Sequence, residues 1–236
     1  MARLRSAYAP GRLARGVAPL SALTSLSCFS LTTFAFIAAK CSGSAERAGE
    51  QYRLVRPIAT AGDDDPDLVK ALCELVNDAY RDGEAGMWTD KFVRTTPEEV
   101  AGCLKRRELI VAMADGSPIG QVKVHKVTHD GEPYVDVGML AIEKSLRGAG
   151  IGSKLMRSAE NHAAEEGAAG VLLQLLSPTG WKHPTKEILD AWYQRLGYVK
   201  STPKDFQREF PDLSGWLATP VQFVTYVKTF SRPSLP

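Results

Sequence analysis

Residues 134–167, YVDVGMLAIEKSLRGAGIGSKLMRSAENHAAEEG, leave this chain few folds to adopt. An apolar, partly alternating run from Val135 to Ile142, bounded by turn residues, reads as a strand. Behind it Arg147, Gly148, Ala149, Gly150, Ile151 and Gly152 lead into a helical pattern in which Ile151, Leu155, Ala159 and Ala163 recur every four residues. The order is therefore strand, glycine loop, helix, and one helix face is built to pack on a sheet. Such a loop leaves several backbone N–H groups without helical acceptors, and the helix dipole adds partial positive charge there. Glycines let an anion reach that backbone without meeting a Cβ, so the expected ligand is a phosphorylated cofactor.

Spacing narrows the choice. A dinucleotide fingerprint needs G-x-G-x-x-G, but Gly148, Gly150 and Gly152 give G-x-G-x-G; a P-loop needs Gly-Lys-Ser/Thr, but the chain has Gly152-Ser153-Lys154. The pattern that fits at every position is R-x-x-G-x-G, carried by Arg147, Gly150 and Gly152 after the strand VDVGMLAI. It resembles the coenzyme A motif of the GCN5-related N-acetyltransferase (GNAT) superfamily. A second stretch, Trp192-Tyr193-Gln194-Arg195-Leu196-Gly197-Tyr198, looks like that family's aromatic-Tyr-x-x-x-Gly-aromatic signature.

The rest of the chain gives elements in the matching order. Tyr52, Leu54 and Ile58 read as a first strand limited by Pro57. Asp65 before Pro66 caps a helix whose buried stripe is Leu68, Leu72, Leu75, Val76 and Ala79. Thr96, Pro97 and Glu99 form a capping box for a second helix through Lys105. Strands at 109–114 and 120–127 are joined by a hairpin turn at Asp115–Pro118, and a further turn at 130–133 enters the central strand. After the glycine-loop helix come a buried strand at 170–176, a helix with Ile188, Leu189, Trp192 and Leu196 inward and Gly197 as its stop, and a last strand at 221–230. The expected fold is α/β (α+β), the GNAT fold: a mixed, mostly antiparallel sheet of six or seven strands flanked by about four helices. The folded domain is placed at 48–236 and an N-terminal segment with its linker at 1–47.

The resemblance implies a chemistry. Backbone groups of Leu140, Ala141 and Ile142 would pair with a pantetheine arm. The N–H groups of Arg147, Ala149, Gly150, Ile151 and Gly152 would cradle a pyrophosphate, with Gly148 and Ser153 in the same loop. Tyr193 matches the tyrosine that donates to the leaving sulfur. The histone-acetyltransferase branch places a carboxylate base eleven residues before the motif, which here is Asp136. Desolvation on an apolar strand raises a carboxyl pKa and suits it to that task. His125 on the preceding strand is the alternative base. Where the family often has an asparagine, seven residues before the tyrosine, this chain has Lys186, which could meet a coenzyme A phosphate. Trp88 and Tyr134 are candidate acceptor-binding residues. The segments 82–94 and 202–219, with Phe206, Phe210 and Trp216, look like pocket and lid.

The expectation is thus an acetyl-CoA-dependent N-acetyltransferase acting by direct attack, with no metal and with a small primary amine as acceptor. A protein lysine or amino terminus is the alternative acceptor, and a non-catalytic acyl-CoA sensor the alternative from another class. Only Cys73 and Cys103 of the four cysteines lie in the globular part, on predicted helices, and read as buried structural thiols.

Charge divides the chain. The first fifty residues hold six Lys/Arg and two Asp/Glu, leaving 23 basic and 25 acidic residues beyond them. A slightly acidic globular part argues against a nucleic-acid-binding face. Residues 1–45 contain no acid, and Arg3, Arg5, Arg12 and Arg15 precede an uncharged, serine-rich run from Val17 to Ala39. That pattern is similar to a mitochondrial transit peptide; the alternatives are a signal anchor with membrane contact through 17–39 or a secretory signal, or a plain extension of a cytoplasmic protein.

Overall fold

The computed structural model describes residues 52–55 and 65–231. The expected targeting segment, its membrane-contact run and the Pro57–Ile58 end of the first strand lie outside the described residues.

Among the described residues, the strands are β1 (Arg53–Val55), β2 (Leu109–Ala114), β3 (Ser117–His129), β4 (Glu132–Ile142), β5 (Gly170–Pro178), β6 (Val199–Lys200), β7 (Lys204–Asp205) and β8 (Val221–Thr229). The helices are α1 (Pro66–Gly83), α2 (Pro97–Lys105), α3 (Ile151–Glu165), α4 (Pro184–Arg195) and α5 (Phe206–Glu209). The strands form one sheet in the order β1-β2-β3-β4-β5-β8-β6, with β7 also on β8. Only β4 and β5 pair in parallel. The sheet has eight strands rather than six or seven because the two-residue β6 and β7 add short ladders to β8, too brief to leave an apolar pattern.

Local chemistry sets the helix starts. Asp65 Oδ1 accepts from the N–H groups of Asp67 and Leu68 at 3.1 Å each, with Pro66 in the first turn of α1. Thr96 Oγ1 caps α2 by accepting from Glu99 N at 3.3 Å. The other half of the expected capping box does not form, because the Glu99 carboxylate accepts from Thr95 Oγ1 at 3.0 Å instead.

Two cores cover the two faces of the sheet. Helices α1 and α2 pack Leu72, Val76, Val100 and Leu104 on one; α3 and α4 pack Ile151, Leu155, Met156 and Tyr193 on the other. The central strand changes face midway. Val135 and Val137 belong to the α3 side and Met139 to the α1 side, while Leu140 and Ile142 pack on the α3 side again. The cause is a β-bulge. Lys123 pairs with Gly138 but Gln121 with Ala141, so β4 gains one residue there, with Met139 at φ 49°.

The bulge also ends a ladder. β4 and β5 pair from Tyr134↔Gly170 to Val137↔Leu173 and no further, although both strands continue. Beyond that point each remains paired on its outer side, β4 with β3 and β5 with β8, and the two inner edges face each other across a gap.

A third, smaller core joins the two segments expected to form pocket and lid. Met87, Phe206, Phe210, Leu213 and Phe223 are buried together, with Trp88 and Trp216 against them. A bridge between Trp88 and Leu217 and the bond from Thr89 N to Trp216 O at 2.8 Å tie the segments to each other. These aromatic residues pack on one another as a fixed unit. Cys73 and Cys103 are buried, and burial raises the Cys103 thiol to about 11.

Candidate active site

The gap between β4 and β5 opens into a cavity of about 610 Å³. Its walls are Gly138, Leu140 and Ile142 from β4 and Leu173–Leu176 from β5, with the N-terminal loop of α3 and the inner face of α4 closing it. Two unpaired strand edges on such a gap offer main-chain donors and acceptors to an extended ligand.

At one end lies the glycine loop, with Arg147, Gly148, Gly150, Ile151, Gly152 and Ser153 on the cavity. Gly150 is the N-cap of α3 in the left-handed region, φ 82°, and supplies no side-chain cap. A Cβ built there would meet nothing within 4 Å, so the space in front of the helix is open. The first helical bond runs from Lys154 N to Gly150 O at 3.1 Å, which leaves the N–H groups of Ile151, Gly152 and Ser153 without helical acceptors. Gly152 has a different reason to be glycine: its Cβ would meet Ile142 Cδ1 at 3.3 Å and the Trp192 ring at 3.6 Å. Two amides expected in the cradle are turned inward. Arg147 N donates to Lys144 O and Ala149 N to Leu146 O, at 3.4 and 3.3 Å, because a 3₁₀ turn at Lys144–Leu146 leads into the loop. The guanidinium of Arg147 reaches Asp82 in the last turn of α1, as does Lys144, and these partners hold the Asp82 carboxyl below its usual range.

At the other end Tyr80, Glu84, Arg94, Asp136, Lys186 and Tyr193 share the cavity. Asp136 is 7% exposed, and burial raises its carboxyl to about 7 against the opposing charges of Lys123 and Arg94. His125 sits directly across the ladder from Asp136, Nε2 to Oδ2 3.6 Å, but it does not line the cavity; burial lowers its pKa. As a base it would have to act through Asp136. Burial also raises the Tyr193 pKa. The ring packs beside Trp192, Tyr198 and Tyr226, so it is core and cavity wall at once.

Other expected site residues lie elsewhere. The bulge turns Ala141 into the α1-side core, away from the gap. Tyr134 points to the far end of β5, where its hydroxyl meets Thr229 Oγ1 at 3.1 Å and its ring nearly touches Gly170. Trp88 is off the cavity, but its indole N–H donates to Glu84 Oε2 at 2.6 Å. Lys186 is buried and binds Glu84 Oε1 at 3.0 Å, so a carboxylate neutralises it away from the glycine loop. Ile188, expected inward, is 66% exposed on the cavity rim, because the inward stripe of α4 runs through Lys186, Leu189, Trp192 and Tyr193. Glu84, Arg94, Tyr80 and Asp82 carried no motif; the only signal for Asp82, Glu84 and Arg94 was the polar, glycine-bearing composition of 82–94.

Residues 105–200 match the family of acetyltransferase (GNAT) domains. Over that span the chain is similar to a GNAT acetyltransferase domain. Solved structures of similar fold include the PaiA N-acetyltransferase from Thermoplasma acidophilum in complex with coenzyme A (13% identity, 76% of this chain and 99% of that one, TM-score 0.56). An agmatine N-acetyltransferase (14%, 77% and 100%, TM-score 0.56) and the NatC complex bound to Gag peptide and CoA (14%, 77% and 99%, TM-score 0.53) are also similar. At these identities the likeness is one of fold. No curated protein sequence matches the chain. The cavity thus has main-chain groups and an arginine at one end, and buried ionisable side chains at the other. Among the described residues, no group of three or more His, Cys, Asp or Glu could hold a metal ion.

Proposed function

We propose that the protein transfers an acetyl group from acetyl-CoA to a primary amine of a small molecule by direct attack. The observation that carries this reading is the single cavity running from an open helix N-terminus, through unpaired strand edges, to a buried carboxyl and a buried tyrosine. When bound, acetyl-CoA supplies an activated thioester. The free amides of Ile151, Gly152 and Ser153, with Arg147, suit its pyrophosphate, and the edges at Leu140 and Ile142 suit its pantetheine amides.

Asp136 is placed to take a proton from the incoming ammonium. A carboxyl raised to about 7 is a base only above that value, so the rate should rise with pH through neutrality. Tyr193, kept protonated by burial, can donate to the departing sulfur. Holding both reactants in one cavity supplies much of the remaining acceleration. Fixed, buried charges around the acceptor end suit a small polar molecule.

The test is release of free coenzyme A thiol by the full chain, given acetyl-CoA and a panel of amines. Amine-dependent turnover that Asp136→Asn and Tyr193→Phe both depress supports the reading. Tight acetyl-CoA binding without turnover on any amine would replace it with a sensor. The arginine-bearing, acid-free N-terminus supports mitochondrial import; a tagged full chain found along the secretory system would overturn that placement.

A further inference from the structure

Four ionisable side chains from three parts of the chain meet at the acceptor end: Glu84, Arg94, Asp136 and Lys186, all 8% exposed or less. Their hydrogen bonds are unequally satisfied. Glu84 has both oxygens occupied, Oε1 by Lys186 Nζ and Oε2 by Trp88 Nε1. The Lys186 ammonium carries three N–H donors, and Glu84 is its one partner among the described residues. Arg94 adds a second positive charge, its guanidinium 4.8 Å from the centre of the Tyr80 ring. Asp136, pushed toward its neutral form, is the group an acceptor ammonium must approach.

With Asp136 protonated, Lys186 and Arg94 together exceed the single negative charge of Glu84 around the acceptor before it arrives. Two N–H donors on a buried ammonium are costly to leave unmade, and an anionic oxygen answers them best. We propose that the acceptor is an amino acid or a close amino-carboxylate, its carboxylate bound by Lys186 and its ammonium directed at Asp136. The proposal rests on the acetyl-transfer reading above and names the substrate class of that site. Glu84 and Trp88 are positioning residues, holding Lys186 in place without touching the acceptor.

The test compares amino acids with their decarboxylated amines: lysine with cadaverine, histidine with histamine, tyrosine with tyramine. The full chain is assayed with acetyl-CoA by thiol release, and acetyl-CoA affinity is measured separately by thermal shift. At least one amino acid should exceed its amine by about tenfold or more in kcat/KM, since sites built around a hydrogen-bonded group reject analogues lacking it. A double variant, Glu84→Gln with Lys186→Met, keeps the buried pair neutral, so folding is not the readout. It should lose that preference through KM while holding acetyl-CoA as the parent does. Amines turned over as well as amino acids, a preference that survives the double variant, or acetyl-CoA binding with no amino acid accepted would each overturn the proposal and leave the donor site standing. Failure of acetyl-CoA to stabilise the full chain would overturn the acetyl-transfer reading and this inference with it.

Discussion

The glycine-loop end of the cavity is made from one short run, 147–153, and presents mainly main-chain groups at an open helix N-terminus. The opposite end gathers Glu84 and Lys186 from 102 residues apart, with Arg94 and Asp136 between them in sequence, and presents buried charges. The first kind of site needs only a backbone path and room in front of it. The second needs every charge matched, because an ion left unpaired out of water is destabilising by several kcal/mol. The two ends should therefore fail differently when altered.

The largest effect should come at Asp136. Asp136→Asn should lower kcat by about 10²–10⁴-fold and remove the rise in rate through neutral pH, with donor affinity unchanged; pH–rate profiles of parent and variant check this. The stability sign is opposite. A carboxyl raised on folding to about 7 binds extra protons in the native state, so its contribution is complete below about pH 4 and lost as pH rises toward 7. Urea titrations across that range should show stability falling in the parent and a flatter profile in Asp136→Asn.

Next comes Glu84→Ala, which leaves Lys186 buried without its carboxylate and should cost about 3–5 kcal/mol by urea denaturation. Pairing it with Lys186→Met should recover most of the loss; a loss unchanged in the pair would show that the two residues act independently.

At the other end Ser153→Glu should separate binding from stability. A carboxylate in the first turn of α3 favours the helix dipole by roughly 0.3–1 kcal/mol. The same charge would occupy the anion site, so acetyl-CoA affinity should fall by about tenfold or more while the melting temperature holds or rises. The smallest effect is expected at Asp82, whose bonds to Arg147 and Lys144 are half-exposed. Asp82→Asn should tighten acetyl-CoA by a few-fold at most, freeing Arg147 for a phosphate; weaker binding would mean that Asp82 shapes the loop instead.

How far sequence reading reached follows the same division. The loop and α3 were legible because the chemistry there is local: glycine spacing, a helix start and a four-residue apolar repeat within one stretch. Asp136 was found through its offset from Arg147, and its partner His125 through its place on the neighbouring strand. The β4 bulge was not legible, because Gly138 and Met139 sit in an apolar run whose register depends on β3, and so Ala141 was expected on the wrong face. Lys186 was expected at a phosphate, since its partner Glu84 is distant in sequence. Ile188 looked like a core residue because an apolar side chain on a cavity rim has the same pattern as one beneath it. The aromatic residues of 202–219 looked like pocket and lid, but they close a small core with Met87 and Trp88.

The most direct measurement of the central claim, two ends that bind separately in one cavity, is a calorimetric titration of the full chain with acetyl-CoA. Parent, Ser153→Glu and the Glu84→Gln/Lys186→Met double variant are compared side by side. One-to-one binding, weakened by the glutamate and unchanged within about twofold in the double variant, is the predicted result. Binding indifferent to Ser153→Glu, or lost in the double variant while it remains folded, would contradict the assignment of donor and acceptor ends.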